Sequence, residues 1–197
     1  KHGRASLRCT VTRIGGRGVA PRPGARIRVA ANISEAPGDD GAAVTLAHSR
    51  RVRASSSSTT TFKCIGAYAE NILARMDAHS AGADEALMRN ERGLAVCASA
   101  ANIYCVVDGA VLTPPVDEGA MPGCARMEVA RTCARQGIPF IEASFGDAEL
   151  AAPMFLSNSL LGVRRCAFGE RPQPCAVFDA IKAGYDAEVA RQGSIRP

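Results

Sequence analysis

The chain has 197 residues, 47% of them apolar and 22% charged, enough for one large domain or for one domain with part of a second. Its 24 basic and 19 acidic residues leave a net charge of +5, but the arginines are scattered and no stacking aromatics interleave with them, which argues against a nucleic-acid surface. No apolar run approaches the roughly 18 residues that a membrane span needs, and Lys1-His2-Gly3-Arg4 is not followed by an apolar secretory segment.

Residues 6–13, 26–33 and 42–48 alternate apolar and polar positions and read as strands. The loop between the first two holds Gly15-Gly16-Arg17-Gly18 and Pro21-Arg22-Pro23-Gly24, and Gly38-Asp39-Asp40-Gly41 reads as a turn. Residues 49–62, rich in Ser and Thr, read as an exposed linker. A helix is predicted over 64–79, with Ile65, Tyr68, Ile72, Leu73 and Met76 on one apolar face. Strands at 84–89 and 94–97 flank a turn at 90–93, and Val107-Asp108-Gly109-Ala110 carries the Asp-Gly pair of a tight hairpin. A helix from near Gly123 to Gly137, a strand at 138–143, a short helix near 147–151, a strand at 154–158 and a last helix over 174–192 complete the pattern. Strands and helices that alternate in this way predict an α/β or α+β fold.

Two residue types stand out chemically. Only Lys1, Lys63 and Lys182 are lysines; every other basic residue is Arg. Arg stays protonated and cannot act as an amine nucleophile, whereas Lys can once burial or a neighbouring cation lowers its pKa. Lys63, placed between a polar run and a helix start, is therefore a candidate catalytic amine, although a codon bias toward Arg would also leave few lysines. The eight cysteines include no Cys-x-x-Cys pair and the three histidines are isolated, so neither zinc nor a disulfide framework is expected. Most of the cysteines sit in apolar patterns, as in Ile103-Tyr104-Cys105-Val106-Val107, which is how a reducing cytoplasm uses Cys as a small apolar residue.

The motifs together resemble a known family. Lys63-Cys64-Ile65-Gly66-Ala67-Tyr68 resembles the K-x-x-x-x-Y signature of the class IV aminotransferases, the fold-type IV pyridoxal-phosphate enzymes. Asp84-Glu85-Ala86-Leu87 with Gly93-Leu94-Ala95-Val96, Ala101-Asn102-Ile103-Tyr104, Leu112-Thr113-Pro114-Pro115, Met121-Pro122-Gly123-Cys124-Ala125-Arg126 and Phe155-Leu156-Ser157-Asn158-Ser159-Leu160-Leu161-Gly162-Val163 are similar to its further landmarks, in the family's order. The resemblance implies a fold-type IV α/β architecture, with residues 1–50 the end of a small N-terminal α+β domain, 51–62 an interdomain linker and 63–197 a large cofactor-binding domain. Relative to the family, a preceding stretch that carries a phosphate-binding Arg is expected to be missing.

The resemblance also implies roles. Lys63 would bind pyridoxal 5'-phosphate covalently and then move the proton at the substrate carbon beside the nitrogen, with the Tyr68 hydroxyl at the cofactor O3′. Gly123, Cys124 and Ala125 would present helix-start amides to the phosphate, joined by Ser157, Asn158 and Ser159, and Met121 would pack on the ring. Position 97, where the family has Glu, is Cys here. A neutral thiol cannot hold the ring nitrogen protonated as a carboxylate does, which implies either an impaired site or a deliberately weak electron sink.

Thr12-Arg13-Ile14-Gly15-Gly16-Arg17-Gly18-Val19-Ala20-Pro21 resembles the loop of the 4-amino-4-deoxychorismate lyases, in which Arg17 would bind a substrate carboxylate. A lyase that releases pyruvate to form 4-aminobenzoate for folate synthesis is thus expected. A D-amino-acid or branched-chain aminotransferase, and a non-catalytic paralogue, are the alternatives. Family members are homodimers, so a cytoplasmic homodimer acting on a small amino substrate, without nucleic acid or membrane, is the expected assembly.

Overall fold

A computed structural model describes residues 5–15, 20, 23–38, 40–169 and 171–193. The chain divides into two compact units, Lys1–Asp39 and Asp40–Pro197. In the first, β1 (Ala5–Ile14) and β2 (Arg26–Glu35) form an antiparallel ladder in which Leu7 faces Ile33 and Val11 faces Val29.

The second unit is built on an eight-stranded mixed sheet of order β5-β4-β3-β10-β9-β6-β7-β8. The strands are β3 (Val44–Val52), β4 (Glu85–Arg89), β5 (Ala95–Ala98), β6 (Asn102–Val107), β7 (Ala110–Thr113), β8 (Phe140–Glu142), β9 (Met154–Asn158) and β10 (Gly162–Phe168). Helix α1 (Tyr68–Ser80) joins the parallel pair β3 and β4, and α2 (Cys124–Gln136) joins the parallel pair β7 and β8. Parallel neighbours require such crossovers, because a hairpin reverses direction. The β6–β7 connection is a tight turn in which Asp108 and Gly109 both take positive φ, 49° and 79°, as an Asp-Gly hairpin demands. Helix α3 (Ala176–Gly193) closes the chain.

Alternation along the strands sorts the core. Ile103 and Cys105 point to one face and meet Leu46, Leu87, Leu156 and Phe145 in a cluster drawn from across the sheet, so the sheet curls around that face. Ala95 also bridges Phe145, just beyond β8, bringing the β5 edge to the opposite end. Tyr104 and Val106 point the other way and pack with α2 and α3, where the Tyr104 and Phe155 rings stack at 4.5 Å.

The structure adjusts several of the expected elements. The strand expected at 42–48 starts at Val44 and runs on to Val52 inside the large sheet. Of the expected exposed linker at 49–62, residues 49–52 belong to β3, and beyond it Arg53 and Thr60 are buried and Ser58–Thr60 is a 3-10 turn, while Ala54, Ser56, Ser58, Thr59, Thr61 and Phe62 are exposed. The apolar face of α1 is turned outward, with Ile65, Ile72, Leu73 and Met76 exposed, because the helix approaches the sheet through the small side chains of Ala74 and Ala78. Strand β10 was not foreseen. The short helix expected near 147–151 is present, as a 3-10 turn at Glu149–Ala151.

Candidate functional site

Lys63 lies in the extended step between two 3-10 turns, Ser58–Thr60 and Ile65–Ala67, just before α1. Its side chain is exposed, and Nζ sits over the Tyr68 ring at 5.4 Å from the centroid. The five-residue step along the helix start therefore brings the amine and the phenol together.

The other cluster lies where α2 meets β6 and β9. Gly123 caps α2 with extended backbone and no side-chain hydrogen bond, leaving the first-turn amides without an intrahelical partner. Asn102 Nδ2 donates to the Met121 carbonyl at 2.8 Å. A Cβ on Gly123 would lie 2.4 Å from Asn102 Oδ1, so the close approach requires Gly at this position. Asn102 is directly opposite Ser157 in the β6–β9 ladder. The helix start and the 157–159 segment, far apart in sequence, are thereby joined through one asparagine.

Within that cluster the candidates differ. Ser157 is buried and its Oγ is 2.7 Å from the Tyr104 hydroxyl. The Asn158 side chain serves its own turn: Oδ1 accepts from the amides of Leu160 and Leu161, and Nδ2 donates to the Ala100 carbonyl. Ser159 and Cys124 are exposed, Met121 is half-buried and Ala125 is buried. Arg126, one residue on, donates to the Pro114 carbonyl at 2.6 Å and pairs with Glu142 at 2.9 Å, fixing the start of α2 to the Thr113-Pro114 segment.

Cys97 is buried on β5 opposite Met88, among Ala74, Ala78 and Val96. Burial pushes its thiol up to about 11, against the opposing pull of Arg53, and the Glu85 charge adds to the rise. The thiol is neutral near pH 7. Arg17 lies outside the described residues. All eight cysteines are described and free. Among the described residues no group of three or more His, Cys, Asp or Glu could hold a metal, and no helix is long and apolar enough to cross a membrane.

Sequence reasoning missed Arg53, which is one arginine among many in the sequence and gains meaning only from its burial. Asn102 and Arg126 were visible as motif landmarks, but their roles in setting the helix start were not.

A family model described as amino-transferase class IV matches residues 1–167. The branched-chain-amino-acid aminotransferase of Pseudomonas aeruginosa is 35% identical over 85 residues, which are 43% of this chain and 27% of that protein. A branched-chain aminotransferase from Thermoproteus uzoniensis, solved with norvaline, superposes with a TM-score of 0.87 at 24% identity, over 96% of this chain and 66% of that one. A Legionella pneumophila protein provisionally assigned as a 4-amino-4-deoxychorismate lyase superposes at 0.79 with 20% identity, over 95% and 69%. The chain thus spans about two thirds of the length of these solved structures, and at such identities they speak to the fold.

Proposed function

The chain belongs to the class IV aminotransferases, a pyridoxal-phosphate-dependent family, and on that premise we propose that it is a lyase of the 4-amino-4-deoxychorismate type, releasing pyruvate and forming 4-aminobenzoate. The residues present suit the cofactor at two ends. A primary amine stands beside a phenol, and an uncapped helix start is held so close to Asn102 that position 123 has no room for a Cβ. At the third end, position 97, they offer a thiol in place of a carboxylate.

When bound, pyridoxal phosphate supplies an electron sink next to the carbon that loses its proton. Lys63 would hold it covalently and take that proton; Tyr68, beside the amine, would orient the linkage. The α2 amides of Cys124 and Ala125, with Ser157 and Ser159 beyond Asn102, would hold the phosphate by backbone and hydroxyl donors. Met121 would pack on the ring, and Arg17 would bind a substrate carboxylate.

The observation that carries the lyase reading is the buried neutral thiol at Cys97. Amino transfer leans on a strong, protonated sink for its whole course. Elimination leans on it less, because the C–O bond to the enolpyruvyl group breaks and the departing oxygen takes the electron pair. The aminotransferase reading remains the second, supported by the 35% identity to the Pseudomonas enzyme. The outward apolar stripe of Ile65, Ile72 and Met76, with Phe62 beside it, supports a homodimer.

The test supplies pyridoxal phosphate to the purified protein, reduces it with borohydride and maps the labelled lysine. Pyruvate release from aminodeoxychorismate is then measured against amino transfer to a 2-oxo acid. Labelling at Lys63 with pyruvate release supports the proposal. Labelling at Lys182, or transfer that outpaces release, overturns it, and cofactor binding without either reaction favours a non-catalytic paralogue.

A further inference from the structure

Arg53 is a buried cation that pairs with no acid among the described residues. Its amide donates to the Arg89 carbonyl at 2.9 Å, fixing it at the end of β4, the strand whose Met88 pairs with Cys97. The residue is 6% exposed. Its guanidinium donates from Nε to the Gly119 carbonyl at 2.6 Å, from Nη2 to the Thr60 carbonyl at 3.2 Å and from Nη1 to Asn71 Oδ1 at 3.3 Å. All three acceptors are neutral, and Arg53 makes no ion pair with any described residue. The other deeply buried arginines do: Arg126 pairs with Glu142 at 2.9 Å and Arg164 with Asp40 at 2.6 Å. Asn71 carries the connection onward by donating to the Ser99 carbonyl at 2.6 Å, two residues past Cys97. Two buried acids lie on neighbouring segments, and both have other partners: Glu85 is taken by the Ala86 and Ser99 amides, the Ser99 hydroxyl and Arg75 at 3.4 Å, and Glu118, beside Gly119, pairs with Arg92 at 2.7 Å.

A buried, uncompensated guanidinium is costly, and its charge acts strongly where water is excluded. Three of its five N–H donors are used, leaving two. We infer that Arg53 sets the electrostatics of the Cys97 end of the site, holding it positive so that a pyridine nitrogen placed there stays unprotonated. This deepens the proposed function and rests on its placement of the ring nitrogen near Cys97. It turns the missing carboxylate into an active device: Arg53 opposes protonation of the ring, and the weak sink follows from a charge as well as from a loss. Arg53 acts through that charge and is a positioning residue.

Two measurements test it. The first uses apoprotein. Cys97→Glu places a carboxylate beside the lone guanidinium, so its melting temperature, compared with native protein, should exceed by at least about 3 °C what the same substitution gives in an Arg53→Met background. Equal effects in the two backgrounds would overturn the charge assignment. If Arg53→Met does not fold, Arg53→Gln serves, and Arg53→Lys should keep the coupling. The second loads ¹⁵N-labelled pyridoxal phosphate and reads the ring-nitrogen chemical shift. The native protein should show unprotonated pyridine and Cys97→Glu a protonated ring; a protonated ring in native protein overturns the inference. Failure of the cofactor to attach to Lys63 would defeat the functional proposal instead, and the apoprotein cycle would still decide whether the charge reaches position 97.

Discussion

Cys97 makes stability depend on pH in a direction that can be worked out. Burial raises its thiol from an ordinary value of 9.0 to about 11, so between those values the unfolded chain loses a proton that the folded chain keeps. Stability from this group is complete below pH 9 and falls as pH rises toward 11, by up to about 1.4 kcal/mol per pH unit. Cys133, also pushed up to about 11, and Cys105, pushed to about 12, add in the same sense. Denaturant titrations at pH 8, 9 and 10 should show this fall, and Cys97→Ala should flatten it by one thiol's share. A second residue-scale prediction concerns Gly123. Gly123→Ala would drive a methyl against Asn102 Oδ1 and strain the bond from Asn102 to the Met121 carbonyl. We expect a cost of about 1–3 kcal/mol, and we expect inorganic phosphate to raise the melting temperature of the native protein but not that of Gly123→Ala. At this scale the sequence was legible where a residue type was rare: Lys63 stood out as one lysine of three. Arg53 could not stand out, because what distinguishes it is burial without an acid, a property of the folded chain.

Among the elements, α1 shows how a correct periodicity leads to a wrong face. Ile65, Ile72 and Met76 do share a side, but the helix meets β4 and β5 through Ala74, which is fully buried, and Ala78. Small side chains allow the close approach that packing next to Cys97 requires. Ala74→Leu should therefore overpack the helix against Met88 and Val96 and cost about 1–3 kcal/mol, read by thermal melting. Met76→Asp, on the exposed stripe, should leave the melt of the monomer nearly unchanged while shifting size-exclusion elution toward a smaller species if the stripe is a dimer contact; an unmoved elution volume removes that surface from the interface. Strand β10 escaped notice for a related reason. Its outward and inward positions include Arg164 and Arg165, and the buried Arg164 pairs with Asp40, so a strand with one deeply buried arginine lacks the apolar alternation that pattern reading needs.

At the scale of the whole molecule, the α/β class and most element positions were legible, because turn chemistry such as Asp108-Gly109 and the two crossover helices leave strong local signals. The sheet order was not, since it depends on which distant strands pair. β10 is the seam: β5, β4 and β3 lie on one side of it and β9, β6, β7 and β8 on the other. A chain ending at Leu161 should lose cooperative melting, measured by circular dichroism, whereas removal of α3 alone should leave the sheet paired. The seam also dictates a timetable. Arg164 reaches back to the Ala42 carbonyl across 122 positions, beside the parallel pairing of β10 with β3. On the ribosome, β3 must therefore wait with one edge open until β10 has emerged. Lys63 and Cys97 leave the tunnel well before Gly123 and its helix, and β10 follows both, so a cofactor could find all three in place only after β10 has filled the gap between β3 and β9.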